Sequence, residues 1–128
     1  MKMKLEELVS PEASPALGPY CHGRKYGDMI ITSGQIPLTK DGEYVFEIKQ
    51  ATTLVLNNLL SIVEAGGGCR ESIARVDVYI KDLKDFGLIN EAYKAFFGEH
   101  KPTRVCVQVA ALPGDVPLEA SMIAFAGE

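Results

Sequence analysis

Between residues 47 and 81 the spacing of apolar side chains changes from one regular period to another, and this change restricts the chain to folds in which a helix returns to a sheet. From about Glu47 to Ala65, Ala51, Leu54, Val55, Asn58, Leu59, Ile62 and Val63 recur every three or four residues, as on one face of an amphipathic helix. Gly66-Gly67-Gly68 follows. Such a triplet can cradle phosphate where a strand runs into a helix start, but here it comes after a helix and no Gly-Lys-Ser/Thr accompanies it, so it reads as a C-cap and turn. From Ala74 to Lys81 the period becomes two, with Val76, Val78 and Ile80 alternating against Asp77, Tyr79 and Lys81, the pattern of a half-buried strand.

The same reading extends in both directions. Met3 to Val9 reads as a short edge strand, and Pro11, Pro15, Gly18 and Pro19 break regular structure after it. Tyr20 to Tyr26 and Asp28 to Ser33 form a hairpin through a tight turn at Gly27. Asp85 is the expected N-cap of a second helix, whose stripe of Phe86, Ile89, Ala92, Tyr93 and Phe96 reads as core and which stops at Gly98. Arg104 to Ala111 is a strand with Val105, Val107 and Val109 on one side and Arg104, Cys106 and Gln108 on the other. Leu118 to Phe125 is the last strand, entered through Pro113-Gly114-Asp115.

This order predicts an α+β domain occupying residues 1–128, with two right-handed crossovers that place both helices on one face of a single mixed sheet. Ile31, Cys106, Ala110, Ile123 and Phe125 are too apolar for both faces to stay wet, so another copy of the chain is expected to cover part of the second face. Composition alone does not choose between two copies and three.

Composition removes several classes of function. With 13 basic and 17 acidic residues the net charge is −4, and no basic run exceeds Arg24-Lys25, so nucleic acid is an unexpected partner. The three cysteines, Cys21, Cys69 and Cys106, form no C-x-x-C pair and leave any disulfide framework odd, which suits a reducing cytoplasm. Glu6 and Glu7 stand where a signal peptide would be apolar, and no apolar stretch reaches the roughly 18 residues of a membrane span. Two histidines with no H-x-x-x-H spacing, and no carboxylate cluster, argue against a metal site. His22 reads as a satisfied packing residue and His100 as an exposed helix-end residue.

Candidates for chemistry are few. Ser33, in Thr32-Ser33-Gly34-Gln35, lacks the surround of a nucleophile elbow, although its hydroxyl can still hold a ligand. Cys106, flanked by valines, reads as an inert thiol unless an electropositive neighbour activates it. Arg104, two positions earlier on the same strand side, is such a neighbour, but its default reading is a solvated strand-end charge. Glu119 reads as a rim carboxylate just after Pro117.

Ordered motifs from about Pro15 to Ala124 carry a resemblance. They are Gly18-Pro19-Tyr20, Thr32-Ser33-Gly34-Gln35-Ile36-Pro37, Val78-Tyr79-Ile80-Lys81-Asp82 with Asp85-Phe86, and Ile89-Asn90-Glu91-Ala92-Tyr93. Pro102-Thr103-Arg104-Val105-Cys106-Val107, Leu112-Pro113 with Asp115-Val116, and Leu118-Glu119-Ala120 complete the set. The sequence resembles the reactive intermediate deaminase family, also called YjgF or Rid, in its archetypal branch. The resemblance implies a chorismate-mutase-like (RidA-like) fold assembled as a homotrimer with sites between subunits. It also implies cofactor-free hydrolysis of enamines and imines such as 2-aminoacrylate and 2-aminocrotonate to 2-keto acids and ammonia. By matching motifs the family's site residues fall on Tyr20, Ser33, Arg104, Cys106 and Glu119, with Arg104 and Glu119 catalytic and Tyr20, Ser33, Arg104 and Cys106 binding substrate.

Three positions depart from the family pattern: Ala111 where a basic residue is common, Ser121 where a second acid is frequent, and His22 where glutamine is usual. A noncatalytic module that binds 2-keto acids or regulates a partner enzyme is the alternative reading, and a ribonuclease or translation inhibitor is a third that the acidic balance disfavours.

Overall fold

The computed structural model describes residues 4–127. Eight elements follow one another: β1 (Leu5–Leu8), β2 (Gly23–Tyr26), β3 (Met29–Thr32), α1 (Ile48–Ala65), β4 (Ile73–Ile80), α2 (Phe86–Phe97), β5 (Thr103–Gln108) and β6 (Leu118–Phe125). The strands form one mixed sheet in the order β1-β2-β3-β6-β4-β5, in which only the β4/β5 pair is parallel. The α+β expectation holds, with both helices on one face. Met3, the predicted first residue of the edge strand, lies outside the described residues.

Local chemistry fixes the ends of α1. The Glu47 carboxylate accepts from the backbone N–H of Gln50 at 3.0 Å and of Lys49 at 3.1 Å, satisfying two donors that the helix leaves free and holding the carboxyl below its usual range. At the other end Gly66 closes the helix, its N–H donating to the Ile62 and Val63 carbonyls. A Cβ at residue 66 would lie 2.9 Å from the terminal methyls of Leu8 and Ile30, so a larger residue there would push those side chains aside.

The core lies between helices and sheet. Val55, Leu59, Ile62 and Val63 of α1, with Ile89 and Phe97 of α2, meet Ile30, Val76, Val78, Ile80, Leu118, Met122 and Ala124. Burying each of the larger side chains contributes about 1.5–3 kcal/mol. Asn58, placed on the apolar stripe by its spacing, is buried there and donates from Nδ2 to the Leu38 carbonyl at 3.0 Å, which ties the 35–45 connection to α1.

Several boundaries differ from expectation. β2 starts at Gly23, not Tyr20, because the residues before it are held by other bonds: Ser33 donates from its hydroxyl to the Cys21 carbonyl at 2.7 Å and from its N–H to the His22 carbonyl at 2.9 Å. His22 Nδ1 accepts from Ser10 N–H at 3.0 Å, so its proton sits on Nε2 and donates to the Ser14 carbonyl at 2.8 Å, pinning the 10–14 loop. Asp85 is the N-cap residue of α2 as expected, but its side chain makes no capping bond; the Asp82 carboxylate accepts from Lys84 N–H in the 3₁₀ turn that precedes the helix. β5 ends at Gln108, short of Ala111. His100 is half-buried, its Nε2 within 2.7 Å of the Ile73 carbonyl at the start of β4.

The largest correction concerns β5. Cys106 is among the apolar side chains that argue for a cover over the second face, but parallel pairing sets it beside Val78 of the core, turning it toward the helices together with Arg104, which pairs with Val76. Val105 and Val107 take the open side instead, about 42% and 43% exposed. Ile31 and Phe125 do lie on that face, half-buried Ile123 between them, and Ala110 is exposed beyond the end of β5. The uncovered apolar surface is real, with valines in place of the cysteine.

Candidate functional site

The five residues singled out from the sequence fall into two groups on opposite faces of the sheet. Glu119 pairs with Tyr79, which in turn pairs with Val107, so its side chain belongs to the open face. Arg104 and Cys106 belong to the helix face.

The open-face group is built on a bridge beyond β3. Gln35 N–H donates to the Ala120 carbonyl at 2.8 Å and Ala120 N–H returns a bond to the Gln35 carbonyl at 3.1 Å, which sets Gly34 against Glu119. A cleft of about 270 Å³ opens here, walled by Ser14, Leu17, Tyr20, Gly34, Pro113 and Glu119. An adjoining recess shares Tyr20, Gly34, Pro113 and Glu119 and reaches Ser33. The Tyr20 hydroxyl accepts from Leu17 N–H at 3.1 Å, bracing the loop that forms the wall. Because the Ser33 proton is committed to Cys21, its hydroxyl presents lone pairs to the recess. Burial pushes the Glu119 carboxyl above its usual range, with no cation or hydrogen bond among the described residues offsetting the shift. Such a carboxyl exchanges protons closer to neutrality than an exposed one.

The helix-face group is built on α2. Phe86, Asn90 and Tyr93, spaced i, i+4 and i+7, share one stripe of the helix, and that stripe receives the Arg104 guanidinium. Arg104 Nη1 donates to Asn90 Oδ1 at 2.8 Å. Its Cζ lies 4.8 Å from the Tyr93 ring centroid and 5.6 Å from that of Phe86, within cation–π range. Arg104 is half-buried and, among the described residues, enters no salt bridge. The default reading of a solvated strand-end charge is therefore replaced by an oriented guanidinium with its charge uncancelled. Such a group suits a planar anion, above all a carboxylate gripped by two parallel bonds.

The neighbours of Arg104 stay neutral. Burial raises the Cys106 thiol despite the opposing pull of Arg104, so it keeps its proton and is not a ready nucleophile. Burial likewise pushes Tyr93 up to about 12, with Arg104 opposing and Cys106 adding to the rise, and the phenol keeps its proton. Beyond Arg104 a recess of about 600 Å³ runs past Asn90, Tyr93, Lys94, His100 and Lys101. Among the described residues, no group of three or more metal-ligating side chains converges, and no helix is long and apolar enough to cross a membrane.

Sequence reasoning gave no role to Asn90, read Tyr93 and Phe86 only as part of a core stripe although Phe86 is 38% exposed, and passed over Gly34. The helical spacing of the first three was visible, but only the crossing of α2 over β5 reveals what the stripe holds. Gly34 matters because a Cβ there would overlap the Glu119 carboxylate.

Comparison with known proteins bears on this arrangement over nearly the whole chain. The family model described as Endoribonuclease L-PSP matches residues 11–126. A 2-iminobutanoate/2-iminopropanoate deaminase of Escherichia coli strain K12 is 43% identical over 125 residues, covering 94% of this chain and 98% of the relative. The crystal structure of Escherichia coli TdcF with bound serine superposes with a TM-score of 0.92 at 44% identity, covering 95% and 99% of the two chains. Yeast Mmf1 superposes with a TM-score of 0.93 at 34% identity, covering 97% and 100%.

Proposed function

Because the chain belongs to the endoribonuclease L-PSP family, that of the YjgF and Rid proteins, we propose that it hydrolyses small enamines and imines of 2-amino acids to 2-keto acids and ammonia. The observation that carries this reading is the uncancelled Arg104 guanidinium, oriented by Asn90 and seated against Tyr93 and Phe86. An enamine such as 2-aminoacrylate tautomerises to its imine, water adds to the C=N carbon, and the carbinolamine collapses to keto acid and ammonia. Every substrate and intermediate on this route carries a carboxylate, which Arg104 holds while the neighbouring carbon reacts. Glu119 takes a proton from the attacking water and returns it to the leaving nitrogen, a role served by its raised pKa. Tyr20 and the lone pairs of Ser33 line the approach to Glu119, and the neutral Cys106 thiol stands on the same strand side as Arg104. The intermediates hydrolyse in water unaided, so positioning and proton transfer suffice without an activated nucleophile.

Within one chain Arg104 and Glu119 stand on opposite sides of the sheet, so a substrate of a few atoms cannot touch both. The reading therefore requires a second copy to complete each site, as a homotrimer joined through the uncovered apolar face would do. Val105 and Val107 lie on that face while Arg104 and Cys106 lie on the reverse of the same edge strand, which suits a site at the seam. Mixing tests this directly. When Arg104→Ala and Glu119→Gln chains are unfolded together and refolded in equal amounts, random assembly makes about a quarter of the sites intact, and about that share of wild-type activity should return. Recovery no greater than either variant alone would place the whole site within one chain.

The activity is tested by generating 2-aminoacrylate from serine with a pyridoxal-phosphate dehydratase and following imine loss with and without the protein. Loss faster than the spontaneous rate supports the deaminase reading. An unchanged rate, for this imine and for 2-aminocrotonate, together with binding of a 2-keto acid, would favour the noncatalytic module. In the same assay Gly34→Ala should lower kcat by at least about tenfold, because displacing a catalytic carboxylate by about 1 Å costs that much or more. A near-wild-type rate would mean that the carboxylate can move without loss.

A further inference from the structure

We infer that Asn90 is a positioning residue that sets the anion affinity of the site because it is neutral. The inference rests on the proposed role of Arg104 and extends it to the residue behind the arginine. An arginine only donates hydrogen bonds, so the group that orients it must be an acceptor. A carboxylate is the usual choice for a half-buried guanidinium, since it supplies both the acceptor and the compensating charge. Here the acceptor is an amide oxygen, 2.8 Å from Nη1, and the remaining contacts are the faces of Phe86 and Tyr93. The rings attract the cation without cancelling it. The helix thus fixes the direction of the guanidinium while leaving its full charge, and the rest of its fork of donors, for an incoming carboxylate.

Carboxylates are close at hand in the sequence but not at this position. Glu91 is the next residue on α2, and it is bound to Lys49 at 2.8 Å, pointing away to α1. An acid one position earlier would have neutralised Arg104. The difference between Asn and Asp at residue 90 is therefore a difference between an anion site and an internal ion pair, with almost no change in shape.

This separates a positioning role from a merely structural one, because Asp is isosteric with Asn and keeps the acceptor. The experiment measures 2-oxobutanoate binding by calorimetry and the thermal midpoint for wild type, Asn90→Asp and Asn90→Ala. Binding should fall in the order wild type, Ala, Asp, with Asp weakened by at least about tenfold through charge cancellation. The thermal midpoint should follow a different order, Asp at or above wild type and Ala lowest. In the imine assay Asn90→Asp should raise KM more than it lowers kcat. Wild-type affinity in a folded Asn90→Asp protein would overturn the inference and leave the arginine's role intact. Failure of wild type itself to bind the keto acid, with no imine turnover, would overturn the reading of the site on which it rests.

Discussion

Arg104→Ala should lower kcat/KM for 2-aminoacrylate by about 10²-fold, since it removes two charge-assisted hydrogen bonds to the substrate carboxylate. Arg104→Lys should recover little of this. Lysine restores a point charge but neither the planar fork nor the stacked contact with Tyr93 and Phe86. The two variants therefore distinguish charge from geometry, and the same coupled assay measures both. Losing the contact with the rings also costs some stability, so thermal scans and sizing must show that the variants remain folded and assembled. A folded Arg104→Ala protein with wild-type kcat/KM would remove the arginine from the reaction.

Glu119→Gln should lower kcat by about 10²–10³-fold, the usual share of a general acid-base group, while leaving the protein at least as stable at pH 7. The two effects share one cause. Burial raises the folded-state pKa above the unfolded 4.5, so the fold favours the protonated carboxyl. Stability from that preference is complete below the unfolded value and is lost as pH rises through the folded one. At pH 7 the buried charge is thus a burden on the fold, and glutamine removes it. For the wild type, the acid limb of the rate profile should have its midpoint above 4.5, because the carboxylate is the form that accepts the water's proton. A midpoint at or below 4.5, or a glutamine variant that is fully active, would exclude Glu119 as the base.

The elements most legible in the sequence were those whose pattern had one physical reading. The alternation of Val76, Val78 and Ile80 and the helical repeat from Ala51 to Val63 both lead to the observed core. β5 was harder because both of its sides look apolar enough to be buried. Val105 and Val107 would ordinarily be assigned to the core, yet pairing with Val76 and Val78 of β4 gives the buried side to Arg104 and Cys106. That choice is made by register between strands, which no period within one strand encodes. The N-cap of α2 falls on Asp85 as its sequence position suggests, but its side chain makes no capping bond, and the carboxylate that caps is Asp82 in the 3₁₀ turn before it.

The site was legible as a set of residues and illegible as an arrangement. The motifs named Tyr20, Ser33, Arg104, Cys106 and Glu119, but not that the sheet divides them. Asn90 stood inside a quoted motif without a role, because its importance depends on α2 crossing β5 at the height of Arg104. Gly34 had the same standing until its backbone was found against the Glu119 carboxylate.

The alternation along β5 also bears on how such a chain can diverge. Its six residues place Arg104 and Cys106 on one side and the uncovered valines on the other, in strict turn. A single inserted or deleted codon within the strand would exchange the two sides beyond that point, sending valines against α2 and the guanidinium onto the apolar surface. On the proposed reading, anion binding and subunit contact are in this sense inherited together, and over these six positions the gene can drift by substitution but not by length.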